Sequence, residues 1–378
     1  MSSFFRISLA LAAATAAFAQ FPGLTLPPSG NNQRATVTQA IGPVKVSIEY
    51  SAPAVHGPDG KDRHGDIWGK LVPYGVVNLG FGTAKESPWR AGANENTVFA
   101  VSSDVVVQGK PLAAGRYGLH MIPGQEEWTV IFSKNSSAWG SFFYDPSEDA
   151  LRVTTKPHKN DYHEWLTYDF TVRRPTEATV ELQWEDLAIP VSIKVENADD
   201  IYIARLRDEL TNTPGFTEQG FDAAAQYCVT ANTHLEQGLE WANAAIDRPF
   251  IGKKTFATYS TKALVLAKMG KDADADKVMQ EALRLPGTTA TEIHQYGRQL
   301  QAAKKMDQAI AVFKYNAERN GDEWPVHVGL ARAYSAQGDT KTALDHAQKA
   351  LAQAPDPLNK KSLEDMVKTL SEGKPIAQ

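Results

Sequence analysis

The stretch Trp89-Arg90-Ala91-Gly92-Ala93-Asn94-Glu95-Asn96-Thr97 gathers more potential chemistry than any other part of the chain. A guanidinium offers a planar fork of donors that fits a carboxylate, a sugar hydroxyl or an amide. Arg90 has Asn94 and Glu95 close by to complete such a contact. The same residues have a purely structural use, because Arg90 and Glu95 can close an ion pair while Asn94 caps a turn. His120 is the second candidate. In Tyr117-Gly118-Leu119-His120-Met121 it falls opposite the Tyr117, Leu119 and Met121 face of a strand, with Gly118 leaving room over it. That position suits a ligand pocket or a histidine turned to solvent. Arg90, Asn94, Glu95 and His120 are therefore the candidate ligand-binding residues. A hydrolytic or carbohydrate-active alternative would use Glu95, Asp149 or His120, and tryptophans could stack on sugars. No nucleophile and base stand in a legible arrangement, so no residue is given a catalytic role.

Metal and cofactor chemistry find less. The segment His56-Gly57-Pro58-Asp59-Gly60-Lys61-Asp62-Arg63-His64-Gly65-Asp66 has the look of a calcium loop. Counted from Asp59, however, Lys61 and Arg63 fall where acidic ligands are needed, so a polar loop is expected. His158, Asp161, His163 and Glu164 are of types that bind zinc, yet they crowd one short segment, read as a loop, without a ligand spacing. The chain has no Gly-x-Ser-x-Gly elbow, phosphate-binding glycine loop or His-Glu-x-x-His helix. Neither a metal nor a cofactor is expected. Asn135-Ser136-Ser137 matches a glycosylation acceptor, relevant only in a eukaryotic host.

Charge and cysteine content narrow the function classes. Lys plus Arg number 39 against 44 Asp plus Glu, a net charge of −5 over 378 residues. Nucleic-acid binding draws on a basic surplus, and this chain has none. One cysteine, Cys228, excludes an internal disulfide and a cysteine-based zinc cluster. Residues 1–19 carry Arg6, an apolar run and Ala17-Phe18-Ala19, the pattern of a signal peptide cleaved after Ala19. A secreted or periplasmic protein is expected, starting at Gln20, with no membrane span.

The elements that must position these residues fall into two kinds. The first 200 residues hold 16 of the 27 glycines, 14 of the 21 prolines and six of the eight tryptophans. Such composition favours turns and strands, whereas the Ala, Leu, Gln and Lys of the remainder favour helices. After an irregular tail at 20–34, alternation of period two marks a β domain at 35–197. It is clearest at Val44, Val46, Ile48 and Tyr50, at Val180, Leu182 and Trp184, and at Val191, Ile193 and Val195. Shorter runs bring the count to about nine strands with no helix between them, which predicts an antiparallel β-sandwich or barrel.

Residues 198–378 repeat instead at 34. Ala275, Ala309 and Ala343 hold this spacing, as do Ala263, Gly297 and Ala331, and Gly287, Gly321 and Pro355. A helix hairpin needs small residues where its two helices touch and a breaker at its end, so the period predicts an α-helical solenoid resembling tetratricopeptide repeats. The units fall at about 222–253, 256–287, 290–321 and 324–355, with a polar cap at 356–370. The first of them is out of phase by three.

Five blocks of the β domain resemble a bacterial family catalogued as domain of unknown function 2911, whose members look exported. They are Tyr50-Ser51-Ala52-Pro53, Ile67 to Gly75, Trp89 to Glu95, Ala114 to Tyr117 and Trp128 to Phe132, in that order. The likeness covers about Val37 to Val195. This chain departs from it with an insert at Asn78 to Pro88 and a longer loop at His56 to His64. The resemblance implies the fold and export and transfers no catalytic residue. The expected function is that of an exported binding or scaffold protein. Its repeats would hold a protein or peptide partner, and its β domain a second ligand, a small molecule or sugar.

Overall fold

A computed structural model describes residues 32–376. The expected signal peptide, and the tail up to residue 31, lie outside the described residues. Two compact units divide at Ala198 and Asp199.

The first unit holds ten strands: β1 (Gln33–Ile41), β2 (Val44–Ala52), β3 (Thr97–Val101), β4 (Val105–Val107), β5 (Lys110–Leu112), β6 (Gly115–Ile122), β7 (Trp128–Ser133), β8 (Asp149–Thr155), β9 (His158–Arg173) and β10 (Glu177–Lys194). They form two antiparallel sheets, ordered β1-β2-β3-β6-β7-β8 and β5-β4-β10-β9. Both are open, so the barrel is ruled out and the sandwich remains. The sheets meet through Tyr50 of β2 and Tyr168 of β9, whose rings lie 4.9 Å apart edge to face. In β2, Val44, Val46, Ile48 and Tyr50 are buried while Lys45 is exposed, as the alternation requires.

Three features depart from the reading of the residues. Strand β1 takes in Gln33 and Arg34, the end of the stretch read as tail, because it pairs along its whole length with β2, from Gln33↔Ala52 to Ile41↔Val44. The segment from His158 to Glu164 is not a loop but the start of β9, paired with β10 at His158↔Ala188 and Lys159↔Leu187. Finally, the two runs around Val180 and Val191 are one strand. Glu185 adopts a left-handed backbone, φ 56°, and the register shifts on both sides of it. Such a bulge flips the phase of alternation, which made one strand read as two.

The second unit is helical: α1 (Ala198–Glu209), α2 (Glu218–Ala231), α3 (Leu235–Asp247), α4 (Phe256–Lys268), α5 (Asp272–Arg284), α6 (Ala290–Ala302), α7 (Met306–Asn320), α8 (Trp324–Ala336), α9 (Thr340–Ala352) and α10 (Pro357–Ser371). Successive helices pair as α2–α3, α4–α5, α6–α7 and α8–α9, and α10 covers α9. The starts have local causes. Thr255 and Thr289 close capping boxes before α4 and α6, and Asp339 and Asp356 cap α9 and α10. The small repeat positions are contact points: Ala309, Ala331 and Ala343 are fully buried. The phase slip of the first pair also has a cause. Residues 248–255 link α3 to α4, eight residues against the five of 285–289 between α5 and α6. Among the described residues no helix is long and apolar enough to cross a membrane.

Candidate functional site

Arg90 and His120 are brought to one place in the first unit, under a loop at residues 139–142. The Arg90 guanidinium carbon lies 5.3 Å from the ring centre of Trp139 and 5.1 Å from that of Phe142, a cation–π arrangement. One of its nitrogens donates to the Asn94 carbonyl at 2.6 Å. Asn94 can present that carbonyl because its backbone is left-handed, φ 58°. Among the described residues Arg90 forms no ion pair, and burial lowers its pKa.

His120 is 2% exposed, which overturns the solvent-facing alternative. Its Nδ1 shares a hydrogen with Ser141 Oγ at 2.9 Å, and its ring meets Tyr144 edge to face at 5.4 Å. Burial, and then the neighbouring Arg90 charge, push its pKa down to about 4. His120 is therefore neutral at pH 7.

Glu95 does not join them. It is exposed and accepts from Arg34 and from Ser51, both at 3.3 Å. The ion pair of Arg90 with Glu95 is thus replaced by one of Arg34 with Glu95, since the turn at Asn94 sends the two side chains apart. Asn94 accepts from Asn32 at 3.1 Å through its side chain. Asp149 accepts from the Tyr144 hydroxyl at 2.8 Å and pairs with Arg152. Glu95 is thus held apart from the other two, whereas Tyr144 touches both His120, ring to ring, and Asp149, through its hydroxyl. The polar side chains of the first half of β9 are tied locally as well, His158 to Glu181 at 3.3 Å and Glu164 to His56 at 2.9 Å.

Beside Arg90 opens a cavity of about 360 Å³ that the reading of the residues missed. Its walls come from the strandless stretch between β2 and β3, including Pro53, Pro73 and Pro88, with Trp184 of β10 behind. Trp68, Trp89, Trp128 and Trp184 pack into one cluster, with ring centres between 5.2 and 6.4 Å apart. Among the described residues the buried indole N–H groups of Trp68, Trp128 and Trp184 have no acceptor, and the Ser87 hydroxyl is likewise unpartnered. The available signal was prolines and tryptophans in a long stretch free of alternation.

The second unit carries its own pattern. Five buried side-chain polar atoms of its described residues lack a partner: Asp222 Oδ1, Ser260 Oγ, His294 Nδ1, Gln301 Oε1 and Arg332 Nε. All lie on α2, α4, α6 or α8, the first helix of each pair. Ser260 and His294 are one repeat apart, as are Leu264, Arg298 and Arg332. Leu264 is 52% exposed. Burial and Arg298 lower the Arg332 pKa to about 10. Burial, Arg332 and Arg298 bring His294 to about 4. The charges acting on these groups are all positive. A separate groove of about 270 Å³ lies between α5, α6 and α7 on Leu283, Tyr296, Leu300 and Tyr315.

Several solved structures are similar over the helical part. YrrB, described as a TPR protein with an unusual peptide-binding site, is 16% identical, with 45% of this chain and 83% of that chain covered and a TM-score of 0.28. TTC0263, a thermophilic TPR protein in Thermus thermophilus, is 18% identical over 46% of this chain and 89% of that one, TM-score 0.29. MamA 41-end from Desulfovibrio magneticus RS-1 is 18% identical over 41% and 90%, TM-score 0.28. None of the curated proteins matches the sequence. Residues 32–193, the span that carries the ordered motif blocks and the Trp-lined cavity, match the family described as protein of unknown function (DUF2911).

Proposed function

We propose that this chain is an exported scaffold whose helical unit holds an extended, acidic segment of a partner protein, while the β unit takes a second, smaller ligand. One observation carries the first part: the unpartnered buried polar atoms of the helical unit gather on its first helices, beside the row Leu264, Arg298 and Arg332. An unpartnered buried polar group costs about 1–3 kcal/mol, and three of the five, Ser260 Oγ, His294 Nδ1 and Arg332 Nε, can donate to an external acceptor, whereas Asp222 Oδ1 and Gln301 Oε1 only accept. Two guanidiniums without a carboxylate, next to a neutral His294, favour an acidic one, and the exposed Leu264 adds an apolar contact at the adjoining repeat. Export rests on the pattern of Met1 to Ala19. The second ligand rests on the Trp-lined cavity.

An array of short synthetic peptides, acidic, neutral and basic, tests the partner chemistry with the full chain. Acidic peptides should bind, and Arg298→Ala with Arg332→Ala should weaken them at least tenfold, about 1.4 kcal/mol or more. Retention of acidic peptides by the double variant would remove the reading. Sequencing the protein recovered from its host envelope should begin at Gln20, and a start at Met1 would contradict export by cleavage.

A further inference from the structure

The cavity of the first unit has a chemistry of its own, which extends the reading that the β unit takes a second ligand. Its polar lining is rich in donors and holds no Asp or Glu. Arg63 fixes its guanidinium by donating from Nε to Val55 O at 3.1 Å and from Nη2 to Ala54 O at 2.7 Å. That leaves the remaining nitrogen of the fork without a partner among the described residues. Ser87 is 1% exposed, and its backbone is tied on both sides to Val77, at 3.1 and 2.8 Å. The hydroxyl is therefore held in place, buried and unused. Trp184 is also 1% exposed and brings an indole N–H with no acceptor. Arg90 lines the cavity too; its guanidinium is committed to Asn94, Trp139 and Phe142, and its uncountered charge adds to the local potential.

We infer that this cavity binds a small organic anion, with its carboxylate or phosphate group held by Arg63, Ser87 and Trp184 and its apolar body against Pro53, Pro73 and Pro88. An anion supplies acceptors where buried donors have none, and a guanidinium fork matches carboxylate and phosphate alike. A cation would meet two arginines and no acid. A volume of about 360 Å³ is at the lower end of small-molecule sites, so the ligand is one ring or a short chain, not a polymer.

The tryptophans supply the readout, because Trp89 and Trp184 line the cavity and Trp68 and Trp128 touch them. The full chain is titrated with benzoate, phenyl phosphate, neutral benzamide and glucose, following tryptophan fluorescence. Benzoate, phenyl phosphate or both should give a saturable change, with benzamide roughly tenfold weaker or more; the stronger of the two anions identifies the head group. Ser87→Ala and Arg63→Lys should each weaken anion binding several-fold, with circular dichroism and the unfolding midpoint as controls for folding. Arg63→Lys keeps the charge and loses the fork, so it stays informative if larger changes at that position unfold the unit. Equal binding of benzamide, or anion binding untouched by either substitution, overturns the inference. Saturable binding of glucose alone also overturns it, while leaving a second ligand in place. No response to any probe removes the anion site without bearing on the peptide array.

Discussion

The guanidinium of Arg90 lies so close to Gly140 that a β-carbon at residue 140 would sit 2.4 Å from its central carbon. Gly140 is buried and has φ +64°, so a side chain there is strained by the backbone and also displaces the guanidinium. The loop carrying Trp139 and Phe142 closes over the cation only because residue 140 is glycine. Gly140→Ala should therefore destabilise the first unit by about 1–3 kcal/mol, the usual cost of overpacking, with backbone strain included. Urea unfolding followed by tryptophan fluorescence measures it. The double variant with Arg90→Ala should recover the steric share and leave the strain. A strictly additive double variant would show that the two residues do not press on one another.

His120 makes the same region sensitive to acid. Its pKa falls from 6.5 to about 4 on folding, by burial and by Arg90. Between those values the unfolded chain binds a proton that the folded one refuses, so stability rises with pH across the window. The contribution is complete above about pH 6.5 and is lost as pH drops towards 4, amounting to about 3 kcal/mol. His120→Asn keeps a donor near Ser141 Oγ and removes the titration. Unfolding midpoints of the variant should fall less than those of the native chain between pH 7 and 4.5. Parallel slopes would contradict the assignment.

The contrast between what was legible and what was not follows from the range of the interactions. Val44 to Tyr50 announce a strand because each residue answers to one face, and the 34-residue spacing of Ala275, Ala309 and Ala343 announces stacked hairpins because every repeat solves the same contact. Strand β1 was hidden because, although it pairs fully with β2, most of its side chains stay at least partly exposed. The bulge at Glu185 depends on a backbone turn that leaves no mark in hydrophobic pattern. At the candidate site, Arg90 and His120 were picked out from their types and Glu95 was wrongly joined to them. The aromatic faces that hold Arg90 come from Trp139 and Phe142, distant in sequence, and no local rule supplies them. The cavity likewise depends on Trp184 reaching the loops that follow β2, a tertiary fact.

Phe313 of α7 sits between two glycines, Gly297 on α6 and Gly329 on α8. A β-carbon at Gly297 would fall 2.3 Å from its ring, and one at Gly329 2.7 Å. The ring is buried, 1% exposed, so it cannot simply swing away. Alanine is the better helix former by up to about 1 kcal/mol, but the overpacking costs about 1–3 kcal/mol, and the second effect wins. Gly297→Ala should destabilise α6 to α8, and Phe313→Leu in the same chain should restore much of the loss. A more stable Gly297→Ala variant would show that propensity decides instead.

Arg319 ties one helix pair to the next. From α7 it donates to the carbonyls of Leu283, of Leu285 at 2.5 Å and of Pro286 at 3.3 Å, while Tyr315 donates to Leu283 at 3.2 Å. Leu283 lies in the last turn of α5, where no intrahelical donor remains, and Leu285 and Pro286 follow directly after it; the positive side chain also suits the negative end of the helix dipole. The groove between α5, α6 and α7 leaves this junction dependent on side chains that cross it. Hydrogen bonds from a charged donor are worth about 1.5–3 kcal/mol each at best, and partial exposure of Arg319 reduces that. Arg319→Leu should therefore cost about 1–3 kcal/mol in total, felt mainly at one interface, because repeat stability is a sum of neighbour terms. Hydrogen exchange should quicken in α5 and α6 and stay unchanged in α9 and α10, with Arg319→Lys intermediate. Uniform loss of protection across all helices would mean that the repeats act as one cooperative block and that Arg319 does not mark the junction between them.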